Sequence, residues 1–215
     1  MTITWLGQSC FKIQSGDVTL ITDPYNSEVG FKLPRLTADI VTVSHDHFDH
    51  NNVAGVSGEN GEPFLISSPG EFEVKGIFVY GIQFWHDKSE GKERGVSIAY
   101  RIEAEGISVA HLGDLGHTLN EEQVAQLDGV DILLTPVGGK WTLGASEASE
   151  VINEIEPRIV IPMHYKIPGL KVDVETVDKF LKEMGASKAE KLPKLKISKK
   201  DLPQEETKVI LLEKG

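Results

Sequence analysis

Cysteine occurs once in the chain, at Cys10, which excludes an internal disulfide framework and a cysteine-ligated zinc finger. No apolar run approaches the ~20 residues that a bilayer-spanning helix needs. The opening Met1-Thr2-Ile3-Thr4-Trp5 lacks the basic start and apolar stretch of a secretory signal. No repeat recurs at solenoid spacing, and no low-complexity linker interrupts the 215 residues. These absences predict a single cytoplasmic domain, residues 1–215, with no membrane partner. Positive charge is also scarce: 22 Lys and Arg face 33 Asp and Glu, a net charge of -11. Residues 181–215 hold nine lysines and six acidic residues, leaving 13 of the basic and 27 of the acidic side chains in residues 1–180. A body of that sign repels phosphate backbones and weighs against nucleic acid as a partner.

What remains is a globular composition, 40% hydrophobic and 26% charged, with 21 Gly marking many turns between short elements. The first half reads as strands. Residues 2–6 and 10–14 flank the break Gly7-Gln8-Ser9, and 18–22 stops at Asp23-Pro24. Asp39-Ile-Val-Thr-Val-Ser44 is a nearly continuous apolar run, the pattern of a strand buried on both faces. Further strands are predicted near 64–67, 72–75, 77–85, 95–103 and 107–112. Helices are predicted after the N-cap Asn120, over Gly144–Ile155, and from Val174 to Met184. Strands at Asp131–Thr135 and Arg158–Pro162 flank the second of these. The segment Lys188–Lys200 alternates charge with aliphatics, as a solvated surface strand or linker does; a phosphate-contacting arm is the alternative.

The chemistry is concentrated in His45-Asp46-His47-Phe48-Asp49-His50, three imidazoles and two carboxylates directly after the apolar strand. Buried without partners, such groups cost desolvation; exposed, they gain nothing. Imidazole with carboxylate is a ligand set suited to zinc and similar divalent ions. On an extended chain His45, His47 and Asp49 share one parity and point the same way, with His50 turning beside Asp49.

On these residues the chain resembles the metallo-β-lactamase superfamily, whose hallmark is His-x-His-x-Asp-His after a buried strand. Trp5-Leu-Gly-Gln-Ser-Cys-Phe11, Thr22-Asp23-Pro24, Gly113-Asp114 and Pro162-Met163-His164 extend the likeness along the chain. His111-Leu-Gly-Asp114-Leu-Gly-His117 and Pro136-Val-Gly-Gly139 look closest to the ascorbate-6-phosphate lactonase-like hydrolases. The resemblance implies an α/β fold, a four-layer αββα sandwich, with a metal site at one edge between the sheets. It further implies two divalent ions: His45, His47 and His86 on the first, Asp49, His50 and His164 on the second, Asp114 bridging. His86 stands 28 residues before Asp114, where the family places its third histidine, although a lone histidine at a strand end is often only a surface residue. Zinc is the default from the nitrogen-rich set, with manganese or iron as alternatives.

The implied chemistry is hydrolysis of a small anionic ester, lactone or related metabolite by hydroxide generated between the two ions, with Asp49 or Asp114 as the proton carrier. A phosphodiesterase or nuclease of the same fold, and a non-catalytic metal-binding protein, are the competing readings; a homo-oligomer is compatible with all three. Strand alternation puts His111 and Asp114 on opposite faces, so His111 reads as a packing residue, and His117 as a residue past a turn. Asp23, and less so Asp46, are candidates for orienting imidazoles from outside. Pocket walls are expected from loops 24–38, 51–62, 86–95 and 138–145. In the last, Lys140 is a candidate anion contact beside Trp141; a structural turn with a buried Trp141 is the equal alternative.

Overall fold

Alternating burial along the N-terminal strands builds one of two large sheets in the computed structural model, which describes residues 1–59 and 61–215. The strands are β1 (Thr2–Gly7), β2 (Cys10–Ser15), β3 (Val18–Thr22), β4 (Leu36–Thr37), β5 (Ile40–Thr42), β6 (Val56–Ser57) and β7 (Phe64–Ile66). There follow β8 (Gly70–Val74), β9 (Ile77–Trp85), β10 (Val96–Ala104), β11 (Ile107–His111), α1 (Glu121–Gln126), β12 (Ile132–Pro136), α2 (Ala145–Ile155) and β13 (Ile159–Met163). The chain closes with α3 (Asp178–Glu183), β14 (Glu190–Leu192), β15 (Leu195–Lys196) and β16 (Lys208–Leu212).

One large sheet has six strands in the order β15-β1-β2-β3-β5-β7, the other eight in the order β14-β16-β13-β12-β11-β10-β9-β8, and β4 pairs with β6 in a separate two-stranded sheet. Trp5, Phe11, Leu20 and Ile40 of the six-stranded sheet share a core with Val79, Ile102, Val109 and Leu133 of the eight-stranded one. Their chain neighbours Leu6, Cys10, Ile21 and Val41 face the opposite side, in a second cluster with Tyr25, Val29, Leu170 and Val174. So β5 is buried on both faces, as the apolar run predicts. The helices pack with the larger core: Ala148, Val151 and Ile152 of α2 and Phe180 of α3 belong to it. The second cluster is covered by irregular chain that carries two 3-10 turns, Ser27–Val29 and Val53–Gly55.

Two elements depart from the sequence reading. The predicted helix from Val174 shortens to α3, because the Glu175 N–H donates to Gly138 O and its carbonyl accepts from Lys166 N–H, both tertiary bonds. β16 was not anticipated; four apolar residues after a charged stretch are too short a signal to separate strand from helix. The lysine-rich tail is a strand-and-turn segment that ties the two sheets together. β14 pairs with β16 in one, β15 with β1 in the other, Leu195 and Ile197 are buried, and Lys199 Nζ sits 2.8 Å from Asp131 Oδ2.

Because β9 and β10, then β10 and β11, are antiparallel and β11, β12 and β13 are parallel, β9, β11 and β13 all end on the same side of their sheet. That shared edge sets the site.

Candidate metal centre

His86 directly follows β9, Asp114 lies three residues past β11, and His164 directly follows β13. The hexapeptide reaches the same edge from the other sheet, but not by strand parity. β5 ends at Thr42, and residues 45–50 curl into a turn in which His47 N–H donates to His45 O, while His50 and Asn51 N–H both donate to His47 O. The curl, not alternation, brings His45, His47, Asp49 and His50 together. The parity argument for Asp114 fails likewise, since β11 stops at His111 and Gly113 takes φ +54°. A Cβ on Gly113 would lie 2.7 Å from Ser44 Cβ, so glycine both permits the turn and lets it close on the hexapeptide.

All seven predicted donors converge. Asp114 Oδ2 lies 3.3 Å from His50 Nε2, 3.4 Å from His86 Nε2, 3.5 Å from His164 Nε2 and 3.8 Å from His45 Nε2. Asp49 Oδ2 is 3.5 Å from His50 Nε2 and 3.7 Å from His164 Nε2. His45 Nε2 and His47 Nδ1 approach to 2.8 Å. Three groups of donor atoms each fall within 4.8 Å: His45, His47, His86; His45, His50, Asp114; and Asp49, His50, His164. His50 Nε2, both ring nitrogens of His86 and of His164, and Asp114 Oδ1 are buried without a hydrogen-bond partner. Six such atoms in one place carry a heavy desolvation cost, which cations set among them would offset. The residues fit a metal centre.

Around the donors stands a layer that orients them. Asp23 is fully buried; its Oδ2 accepts from His50 Nδ1 at 2.8 Å and from Ser44 Oγ at 2.6 Å, and Oδ1 accepts from Ser44 N at 2.7 Å. Ser44 Oγ also reaches His45 Nδ1 at 2.9 Å. One aspartate thus fixes two imidazoles, leaving the opposite nitrogens facing the centre. Asp46 is exposed and bonds Asn51 instead. His111 and His117 are spoken for: His111 donates to Ser9 O at 2.7 Å and accepts from Gly113 N, and His117 bonds Thr118 O and Trp85 N.

Gln8, which the sequence reading placed in a break and in the opening family motif without giving it a role, donates from Nε2 to Asp49 Oδ2 at 3.0 Å, while its carbonyl accepts from His164 N–H. Gln8, Asp23 and His164 all adopt positive φ, at 51°, 39° and 52°. Such conformations cost about 1–3 kcal/mol each and persist where surrounding contacts over-determine them. Gly138 completes the fit: a Cβ there would stand 2.1 Å from His164 O.

A family model described as the beta-lactamase superfamily domain matches residues 2–164. The fold and sequence are also similar to a Thermotoga maritima crystal structure assigned to the Zn-dependent hydrolases of the metallo-β-lactamase superfamily. That match is 37% identical with a TM-score of 0.80, covering 99% of this chain and 98% of that one. The chain belongs to the metallo-β-lactamase superfamily. Within the superfamily it is a metal-dependent hydrolase, and a Methanopyrus kandleri protein named UPF0173 metal-dependent hydrolase is 28% identical over 86% of this chain and 93% of its own. An isothiocyanate hydrolase from Delia radicum gut bacteria shares the fold alone, at 14% identity and TM-score 0.67 over 100% of this chain and 97% of that one.

Charge within this metallo-β-lactamase site is divided unevenly. Burial and the neighbouring His50 push His45 down to about 3, against the pull of Asp114. Burial also lowers His47 and His86. At His50 and His164 burial opposes protonation, but Asp114 and Asp49 outweigh it and both imidazoles move up. Burial would raise Asp49 and Asp114 as well, yet His50 and His164 hold both carboxyls well below the usual range. Without metal, His45, His47 and His86 are therefore held toward the neutral form that binds a cation, whereas His50 and His164 hold their protons more firmly than a free imidazole does, and a cation must displace them. Calorimetric titration of zinc into metal-free protein, in two buffers of different ionisation enthalpy, is expected to show about one to two protons released near pH 7 and affinity falling as pH falls. Heats independent of buffer would contradict this division.

The donors open on a cleft of 240 Å³ walled by Phe48, Arg94, Trp141 and Val172. His86, Arg94 and Trp141 are shared with an outer cavity of 530 Å³ between residues 86–94 and 139–144. Two of the four expected loops therefore form the walls. Residues of 24–38, including Tyr25 and Val29, instead cover the outer face of the six-stranded sheet, and 51–62, of which Asn60 lies outside the described residues, does not line either cavity. Lys140 is ion-paired with Asp173, and Trp141 is 45% exposed instead of buried.

Proposed function

We propose that the chain hydrolyses a small anionic ester, lactone or related metabolite at a binuclear centre, with His45, His47 and His86 holding one divalent ion, Asp49, His50 and His164 the other, and Asp114 shared. The observation that carries this reading is the convergence of four imidazole nitrogens on Asp114 Oδ2 within 3.8 Å, with most of those nitrogens lacking any other partner. Five imidazoles and two carboxylates favour zinc, with manganese or iron as the next fits. Such ions would supply Lewis acidity and acidify water enough to give hydroxide near neutral pH. The rest falls to the protein. Asp23 and Ser44 hold His50 and His45 in the tautomers that face the centre. Gln8 pins Asp49 Oδ2, leaving Oδ1 as the oxygen that takes and returns a proton at the cleft. Asp114, more deeply enclosed, keeps its charge and neutralises part of the bound positive charge.

Two dications exceed the two carboxylates that hold them, so the cleft attracts an anion, while the acidic body disfavours a long polyanion. The lactonase-like residues from His111 to His117 point to the same small-molecule chemistry. Under this reading residues 1–215 work as one catalytic unit in the cytoplasm, and nucleic acid is not the substrate. Zinc-loaded protein should turn over γ-lactones and p-nitrophenyl esters in preference to bis-p-nitrophenyl phosphate. Efficient, salt-sensitive cleavage of structured RNA would overturn the proposal in favour of a nuclease.

A further inference from the structure

Every lysine lining the outer cavity is already matched: Lys88 with Glu147 and Lys140 with Asp173. Arg94 differs. Among the described residues its guanidinium makes no ion pair and no hydrogen bond, yet it lines both the metal-side cleft and the outer cavity. Its Cζ lies 3.7 Å from the centroid of the Trp141 ring. A guanidinium stacked on an aromatic face keeps the N–H groups of its rim free, and those match a carboxylate or phosphate bidentately.

The position of Arg94 is built rather than incidental. Asp87, the residue after His86, is buried and accepts four backbone N–H groups: Ser89 at 2.8 Å and Gly91 at 3.0 Å on Oδ1, Glu93 at 3.1 Å and Arg94 at 2.8 Å on Oδ2. His86 N–H donates to Gly95 O at 3.0 Å, closing the loop at its base. The loop that carries Arg94 is therefore locked to a predicted metal ligand, which fixes the cation relative to the reacting centre before any ligand arrives. Phe48 lines the same metal-side cleft and is 47% exposed although it belongs to the hexapeptide turn; an aromatic left open beside a polar cleft offers a surface to a ligand.

Resting on the small-anion hydrolase reading above, we infer that Arg94, positioned by Trp141 and the Asp87-capped loop, anchors a carboxylate or phosphate on the substrate remote from the bond that is cleaved. The substrate class is then a molecule with two functional ends, a hydrolysable acyl group at the metal centre and a separate oxyanion at Arg94, joined by a short apolar stretch along Phe48.

Zinc-loaded wild type, Arg94→Gln and Arg94→Lys, each checked for folding by circular dichroism, are compared on p-nitrophenyl hemisuccinate and p-nitrophenyl butyrate. These esters share a leaving group and differ in the remote carboxylate. Arg94→Gln is expected to raise KM for the hemisuccinate about tenfold more than for the butyrate, with kcat far less affected. Arg94→Lys recovers only part of the loss, because a point charge lacks the bidentate fork. Calorimetry with succinate and with inorganic phosphate on the same zinc-loaded samples should show about tenfold weaker binding in Arg94→Gln, and the probe that depends more on Arg94 tells carboxylate from phosphate. Equal KM changes on both esters with unaltered probe affinity would overturn the anchor and leave ester hydrolysis standing. Arg94-dependent probe binding without turnover of either ester would overturn ester hydrolysis and leave the anchor standing.

Discussion

Asp114→Asn is expected to lower hydrolysis by the zinc-loaded protein about a thousandfold or more, equivalent to about 4 kcal/mol in the barrier. The substitution keeps shape and removes charge from the atom on which four imidazoles converge, so its effect reports electrostatics and ligation more than packing. Asp114 Oδ1 is buried without a partner, and its backbone N–H is held separately by Ser97 Oγ at 3.0 Å. The turn at Gly113 should therefore survive, and circular dichroism of the variant should match the parent. Retention of more than a tenth of the parental rate would remove Asp114 from the centre. His47→Ala should act in the same direction, and His111→Ala should not lower metal content, because His111 bonds Ser9 and Gly113 instead of facing the donors.

Stripping the metal should lower Tm by about 15 °C or more. A ligand present at a thousand times its dissociation constant stabilises the folded state by about 4 kcal/mol per site, and each kcal/mol moves Tm about 2–4 °C in a chain of this size. The loss should also depend on pH. In the metal-free chain His50 and His164 are raised, so the stability they contribute is present below their unfolded value of about 6.5 and is lost as pH rises through the folded values. Asp49 and Asp114 are lowered, so theirs is present above about 3.9 and is lost as pH falls. His45, His47 and His86 are lowered, so they destabilise the metal-free fold as pH falls below about 6.5. Being already neutral, they release no proton to a metal and leave the chelation difference to His50 and His164. Chelation should cost more Tm at pH 8 than at pH 6, as differential scanning calorimetry with and without chelator will show. A chelator-independent Tm would contradict a metal-filled centre.

Residue type and local order made much of this site legible. Clustered imidazoles and carboxylates after an apolar run have few other uses, and the run itself announced a strand buried on both faces, which β5 is. Position was less legible than identity. His45, His47 and Asp49 do meet, but through a turn whose hydrogen bonds alternation could not anticipate. Gln8 was missed because a single polar residue between two strands carries no periodicity; its positive φ and its bond to Asp49 exist only in the folded chain. Arg94 was hidden in a charged loop, Asp87-Lys-Ser-Glu-Gly-Lys-Glu-Arg94, where local sequence cannot tell a matched cation from an unmatched one. Lys140 looked freer than it is, since its partner Asp173 lies 33 residues away.

Elemental analysis of purified protein saturated with zinc and freed of excess, together with anomalous diffraction at the zinc edge, tests the binuclear assignment most directly. Seven donors exceed what one tetrahedral ion uses, so close to two zinc ions per chain are expected, one beside His45, His47 and His86 and one beside Asp49, His50 and His164. A saturating stoichiometry of one, with a single anomalous peak, would contradict it.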